Sequence, residues 1–387
     1  MRSVPVSCAK WPSSASARLC ARRWNWCSIP RGRSEMSGAV ARYAYLNARV
    51  SGMADRLLPA AEVEALIEGS TPEQAAHALI PDLADLGQEA QVDPAFLESA
   101  LLLALLQEFS VLVRGTHGNA RDLLIYWIRR FELANLKALL RGKVAGRSAA
   151  AIRAELVRLG PFATLPADRL LATEDLAELL RQLETTAYGS IVHQARLAFE
   201  EQPELFILDA TLDQRYFTGL ARQLRGFDGK DRQLLNRLVG SYIDHVNLVW
   251  LLRYRYAYNL PPAQAFYLLA PAGHRIAARE WLALADLGSM AELIGALPRT
   301  LAQLLEGAET ISEVQRRLQR ETQSVAESVL RDGGFSVARA LAYLLLRELQ
   351  MQQLLAVLKG RQLGLDSALI RFAAGFGGQG RGGETRV

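Results

Sequence analysis

The stretch Asp244-His245-Val246-Asn247-Leu248-Val249-Trp250-Leu251-Leu252-Arg253-Tyr254-Arg255 decides the fold. Apolar residues fill most of its positions and neither Gly nor Pro interrupts it, so it reads as a buried helix. It also occurs three times. Upstream stands Glu132-Leu133-Ala134-Asn135-Leu136-Lys137-Ala138-Leu139-Leu140-Arg141-Gly142-Lys143, and downstream a weaker copy, Gln350-Met351-Gln352-Gln353-Leu354-Leu355-Ala356-Val357-Leu358-Lys359-Gly360-Arg361. Each copy has an acid or amide, an amide three residues later, two apolar pairs and a basic end.

At 100° per residue, Glu132, Asn135, Leu136, Leu139, Leu140 and Lys143 share about 140° of arc, while Arg141 points the other way. Asp244, Asn247, Leu248, Leu251, Leu252 and Arg255 fall together in the same manner, as do Gln350, Gln353, Leu354, Val357, Leu358 and Arg361. A polar group set into an apolar stripe must find a hydrogen-bond partner. Each copy therefore predicts one specific partner for its amide, expected in a neighbouring helix.

The period has an independent witness. Asn135 and Asn247 are 112 residues apart, and Asn247 and Gln353 are 106 apart. A second pattern, Leu97-Glu98-Ser99-Ala100-Leu101, returns as Leu208-Asp209-Ala210-Thr211-Leu212 and Val314-Gln315-Arg316-Arg317-Leu318, at offsets of 111 and 106. Two patterns agreeing on one spacing imply three units of about 110 residues, each the size of a small helical domain. The implied division is 37–150, 151–262 and 263–374, with a basic extension at 1–36 and a Gly-rich tail at 375–387.

Half of the 387 residues are apolar, enough for several cores, and the formal net charge of +5 points at first to an acidic partner. That charge is local. Residues 1–35 contain Arg2, Lys10, Arg18, Arg22, Arg23, Arg31 and Arg33 against Glu35 alone, a net of +6, which leaves −1 for everything after them. A near-neutral body gives no reason to expect nucleic acid. The three cysteines, Cys8, Cys20 and Cys27, lie in the same stretch, so no disulfide framework or cysteine metal site involves the body. The stretch has the Arg/Ser-rich, acid-poor composition of a transit peptide. An over-extended start, with Met36 as the working beginning, is the reading expected here.

Along the body, Tyr43–Leu58 reads as one helix before Pro59. Ser70-Thr71-Pro72-Glu73 reads as a helix start, and Asp93-Pro94 opens an apolar helix through Val113. Glu98, Gln107 and Glu108 interrupt that run short of the roughly 20 clean residues of a membrane span, so a buried bundle helix is expected. Gly142 and Gly146 should end the first motif helix. No β-branched alternation occurs, and the fold class is all-α.

Chemistry-bearing motifs are missing where they would be needed. Gly229-Lys230 is followed by Asp231 and Gly142-Lys143 by Val144, so neither forms a phosphate-binding loop ending in Lys-Ser/Thr. His77, His117, His193, His245 and His274 are scattered, without metal-ligand spacing. Gly375, Gly377 and Gly380 have dinucleotide spacing but no preceding strand. No catalytic residue, cofactor or metal ligand is expected. Lys143, Arg255 and Arg361 are the candidates for holding a partner's carboxylates; the competing reading is that each complements a helix C-terminus.

With these residues assembled, the chain resembles the C subunit of rotary V/A-type ATPases, the prokaryotic counterpart of the d subunit of vacuolar proton pumps. The resemblance rests on Tyr45-Leu46-Asn47-Ala48-Arg49-Val50, on Asn135-Leu136-Lys137 with Arg141-x-Lys143, and on Asp244-x-x-Asn247-Leu248 with Leu251-Leu252-Arg253-x-Arg255. Pro271-Ala272-Gly273 and Tyr343-Leu344-Leu345 complete it, and it covers about residues 40–375. Gln350 and Gln353 depart from the acid and Asn usual there. The resemblance implies three helical bundles about a pseudo-threefold axis, forming a funnel. It also implies a non-catalytic rotor subunit, a socket between the central-axle subunits and the membrane proteolipid ring, peripheral on the cytoplasmic face of the inner membrane. The alternative is a helical-repeat adaptor that binds an unrelated partner.

Overall fold

The computed structural model describes residues 33–69, 94–201, 205–271 and 273–376. The expected helix start at 70–73 and the tail beyond residue 376 lie outside them, as do residues 1–32. Two compact units divide the chain between residues 42 and 43. The described part of the first, residues 33–42, is helical. Everything below concerns the second unit.

Among the described residues there is helix and turn but no strand, so the chain is all-α. In order, the helices are α1 (Arg33–Ala54), α2 (Ala60–Gly69), α3 (Pro94–Arg114), α4 (Gly118–Val144), α5 (Ala149–Glu155), α6 (Ala167–Leu171), α7 (Leu176–Glu184), α8 (Gly189–Glu201) and α9 (Leu205–Leu224). Then come α10 (Gly229–Leu235), a π-helical turn at Asn236–Gly240, α11 (Ser241–Leu252) and a second π turn at Arg253–Ala257, which run into one another as one long rod. Shorter helices follow: α12 (Pro262–Tyr267), α13 (Ala278–Ala285), α14 (Met290–Ala296) and α15 (Arg299–Leu305). The chain finishes with α16 (Ile311–Asp332), α17 (Val337–Gln362) and α18 (Ser367–Ala373).

The three motif copies occupy α4, the α11 rod and α17. The second sequence pattern lies on the helix before each of them: α3, α9 and α16. These long helices pack in a closed order: α3 on α4, α4 on α9, α9 on the rod, α11 on α16, α16 on α17, and α17 back on α3. The apolar stripes supply the reason. Leu136, Leu139 and Leu140 on α4, Leu248, Leu251 and Leu252 on α11, and Leu354, Val357 and Leu358 on α17 are all buried.

Two of the three polar residues that interrupt α3 meet α17: Glu98 pairs with Lys359 at 2.8 Å, and Glu108 lies deeper, while Gln107 is exposed. Glu108 accepts from the Tyr343 hydroxyl at 2.8 Å and pairs with Arg347 at 3.2 Å, both on α17. Burial first, and then this carboxylate, push the Tyr343 phenol well above its ordinary value. Arg130 on α4 pairs with Glu348 on α17 and lies 4.1 Å over the Trp127 ring. Lys137 on α4 meets Asp213 on α9 at 2.5 Å.

Two helix ends differ from the sequence expectation. α1 stops at Ala54, because Arg56 and Leu57 donate to Met53 and Ala54 in a tightening turn before Pro59. Gly142 does not end α4. The helix passes through it and closes at Gly146 (φ +61°), with Ala145, Gly146 and Arg147 donating back to Arg141, Lys143 and Gly142. Gly142 has a packing role instead: a Cβ there would stand 2.5 Å from Ile152 Cγ1 on α5. Gly360 on α17 makes the same approach to Ile370 on α18, also at 2.5 Å and also ten residues on.

Candidate functional site

The residues singled out by the sequence form one repeated device, in which the polar face of a motif helix holds the backbone of a separate segment. In the first motif copy Asn135 donates to Val157 O at 2.8 Å and accepts from Val157 N at 2.7 Å. Glu132, 2 % exposed, accepts from Leu165 N and from the hydroxyls of Thr164 and Tyr188, each at 2.6 Å, and from Thr164 N. Burial and the bond to this carboxylate push the Tyr188 phenol well above its ordinary value. Lys143 donates to Leu171 O at 2.9 Å and to Thr173 O, at the end of α6.

The second motif copy repeats the device with a shorter acid. Asn247, fully buried, donates to Ala270 O and accepts from Ala270 N, both at 2.9 Å. One Asp244 oxygen accepts from His274 N at 2.9 Å and Arg275 N at 2.7 Å. Arg255 donates to Ala285 O at 2.5 Å, at the end of α13, and to Leu260 O at 2.7 Å. Gly273 is fixed by the same geometry, since a Cβ there would run into the other Asp244 oxygen.

In neither copy is the amide's partner the neighbouring helix that the helical wheel predicts. It is the backbone of the connecting segment just past α5 or α12. A short amide side chain satisfies one residue's N–H and C=O together only where no helix has already used them.

The third motif copy inverts the polarity. Gln350, 6 % exposed, donates to Leu58 O at 2.9 Å, and its own oxygen accepts from Arg347 at 3.1 Å. Arg361 donates to Ile67 O in α2. Gln353 is half-buried on a cavity of about 410 Å³ shared with Leu58, Pro59, Gln323 and Phe376. The change of residue type follows from the partner. Glu132 and Asp244 face backbone N–H pairs and must accept, whereas position 350 faces a carbonyl and must donate. Gln350→Glu is therefore expected to lower stability by about 1–3 kcal/mol in urea titration at pH 7, by setting two acceptors against each other. An unchanged midpoint would count against the contact.

Lys143, Arg255 and Arg361 thus share a structural role. Besides Arg255's bond to Leu260 O, each donates to a backbone carbonyl in or at the end of α6, α13 or α2. Those are the carbonyls a helix leaves without intrahelical partners.

Beside Asp244 lies a second buried ionisable group of the motif. His245, 4 % exposed, has Nδ1 2.6 Å from Thr322 Oγ1 and Nε2 2.8 Å from Glu321, whose other oxygen meets Arg275 at 2.6 Å. Burial lowers the His245 pKa. It also pushes Glu321 up, but His245 and Arg275 outweigh it and hold that carboxyl below its ordinary value. Asp244 is raised from 3.8 to about 6, chiefly by burial, with the His274 and Arg275 amides and the Arg275 charge pulling it down and Glu321 pushing it up.

An acid whose folded pKa is raised binds more protons folded than unfolded, so its contribution falls as pH rises through that window. Relative to Asp244→Asn, the unaltered chain should lose on the order of 2 kcal/mol of unfolding free energy between pH 4 and 6. Parallel pH profiles for the two proteins would refute it. Among the described residues, no group of three or more His, Cys, Asp or Glu side chains gathers as a metal would require. No described helix is long and apolar enough to cross a membrane.

Comparison with known proteins finds relatives over most of the chain. A family model described as "ATP synthase (C/AC39) subunit" matches residues 46–372. The A-type ATP synthase C subunit of Methanocaldococcus jannaschii is 25 % identical over 346 residues, covering 86 % of this chain and 86 % of its own. Its counterpart in Methanosarcina barkeri is 25 % identical over 360 residues (89 % and 96 %), and that of Haloquadratum walsbyi 26 % over 360 residues (87 % and 98 %). With one model spanning most of the sequence and all three motif copies inside it, the chain belongs to the ATP synthase (C/AC39) subunit family.

Proposed function

We propose that this chain is a non-catalytic rotor subunit of a V/A-type rotary ATPase. On this reading it is the socket that seats the foot of the central axle and rests on the membrane proteolipid ring. It passes torque between ATP turnover in the soluble head and H⁺ or Na⁺ movement in the membrane. It would sit peripherally on the cytoplasmic face of the inner membrane, with three bundles, 37–150, 151–262 and 263–374, arranged as a funnel about a pseudo-threefold axis.

The observation that carries the proposal is the family match across residues 46–372. The internal design supports it. A torque-bearing part needs stiffness, and the motif helices spend their buried polar groups on fixing segments of the chain's own backbone. Such satisfied networks rigidify a core.

The test is recovery from native membranes through a tag on this chain. Soluble axle subunits and the proteolipid are expected together in the eluate. Recovery with an unrelated protein, and without either of them, would favour the adaptor reading. If Lys143, Arg255 and Arg361 contribute directly to axle binding, that binding should weaken with salt.

A further inference from the structure

In the first two units the held segment lies within about thirty residues downstream of its motif helix. The third differs. Gln350, Arg361, Ser367 and Arg371 all reach back to residues 58–68, nearly 300 positions upstream. Here α2 takes the place that α6 and α13 hold in the other units, with Arg361 donating into it as Lys143 and Arg255 donate to those helices. On the division into 37–150, 151–262 and 263–374, the third unit borrows this piece from the first.

The borrowed piece is lightly held. α2 has ten residues, Ala-Ala-Glu-Val-Glu-Ala-Leu-Ile-Glu-Gly, and packs chiefly on α17 and α18. Two buried side chains anchor it, with Leu66 partly buried against the same cluster as Val63. Val63 sinks beside Leu101 and Leu354, and Ile67 sinks among Val357, Ile370 and Ala374. Its acids, Glu62, Glu64 and Glu68, are exposed; Arg371 of α18 pairs with Glu68 and Arg361 of α17 donates to Ile67 O, while Lys359 of α17 is paired with Glu98. Across the same unit, α18 also leaves Leu369 and Phe372 substantially exposed. Elements with few buried anchors and solvent-exposed polar contacts are those that open locally.

We propose that α2 is an exchangeable strap. The face it covers on α17 and α18 is a docking site for a short acidic amphipathic helix with apolar anchors at i and i+4. Residues 60–69 fill it in cis, and a partner helix of the same chemistry fills it when the strap lifts. α1 stays in place meanwhile, since Tyr43, Leu46, Val50 and Met53 are buried in the main core.

The test uses the full chain and a fluorescent peptide of residues 57–69. Saturable uptake is expected, weakening with salt and lost when the peptide carries Ile67→Asp. In the full chain Ile67→Asp should tighten uptake about tenfold, because the cis strap no longer occupies the face. Hydrogen exchange on the unaltered chain gives a reading free of any folding defect. Amides of α2 should exchange well ahead of those of α11, and added peptide should slow exchange in α17 and α18. No uptake by either chain, or α2 amides exchanging in step with α11, would overturn the proposal.

Discussion

Replacing Glu132 with alanine is expected to cost the fold about 3–5 kcal/mol, since it strands several buried donors at once. The carboxylate receives two backbone N–H groups, from Thr164 and Leu165, and two hydroxyls, from Thr164 and Tyr188. The hydroxyls can turn toward other partners, but the two amides are fixed by the chain and cannot. Glu132→Gln keeps one carbonyl oxygen for the amides, so roughly half of the loss should be recovered. Urea unfolding monitored by helicity decides the matter. A loss below about 1 kcal/mol for the alanine variant would mean that water reaches the site and the segment is not held there.

Asn247→Leu comes next, at roughly 2–4 kcal/mol, because both the N–H and the C=O of Ala270 lose their partner in a place where neither meets solvent. The two residues are 0 % and 2 % exposed. The equivalent Asn135→Leu should cost about 1–2 kcal/mol, since Asn135 is half-buried and water can replace part of the lost pair. Asn236, on the π turn before the motif, serves as a control. Its replacement by leucine should change stability by less than about 0.5 kcal/mol. The ranking 247, 135, 236 is the content of the prediction. Equal losses at 247 and 236 would break the link between burial and the amide's role.

These two variants also mark what the sequence made legible. The 100° periodicity placed Glu132, Asn135, Asp244 and Asn247 on inward faces, and the structure buries or half-buries each of them. Periodicity describes a face, however, and is silent about what lies opposite. The partners belong to loops around Val157 and Ala270 whose courses are set by tertiary packing, so a neighbouring helix was the natural but mistaken expectation. Gly142 was misread for a related reason. A glycine that ends a helix and one that admits a neighbour look alike until Ile152 is seen against it.

The third unit was the least legible part. Gln350 looked like decay of an acidic position. Its meaning lies in Leu58, a residue that no local pattern connects to it. A switch from accepting to donating is a sensible change once the partner is a carbonyl, yet it registers in the sequence only as a mismatch. The same holds for Lys143, Arg255 and Arg361. Their recurrence was plain, but the carbonyls of Leu171, Ala285 and Ile67 that accept their hydrogen bonds emerge only from the fold.

The central functional claim is that one chain holds two partners on separate surfaces at the same time. It is tested most directly by capturing the protein on proteolipid rings and then adding the soluble axle subunits. The account predicts a three-way complex, with the axle retained and the protein still ring-bound after washing. If the axle instead strips the protein from the ring, the two partners compete for one surface, and the socket role is wrong.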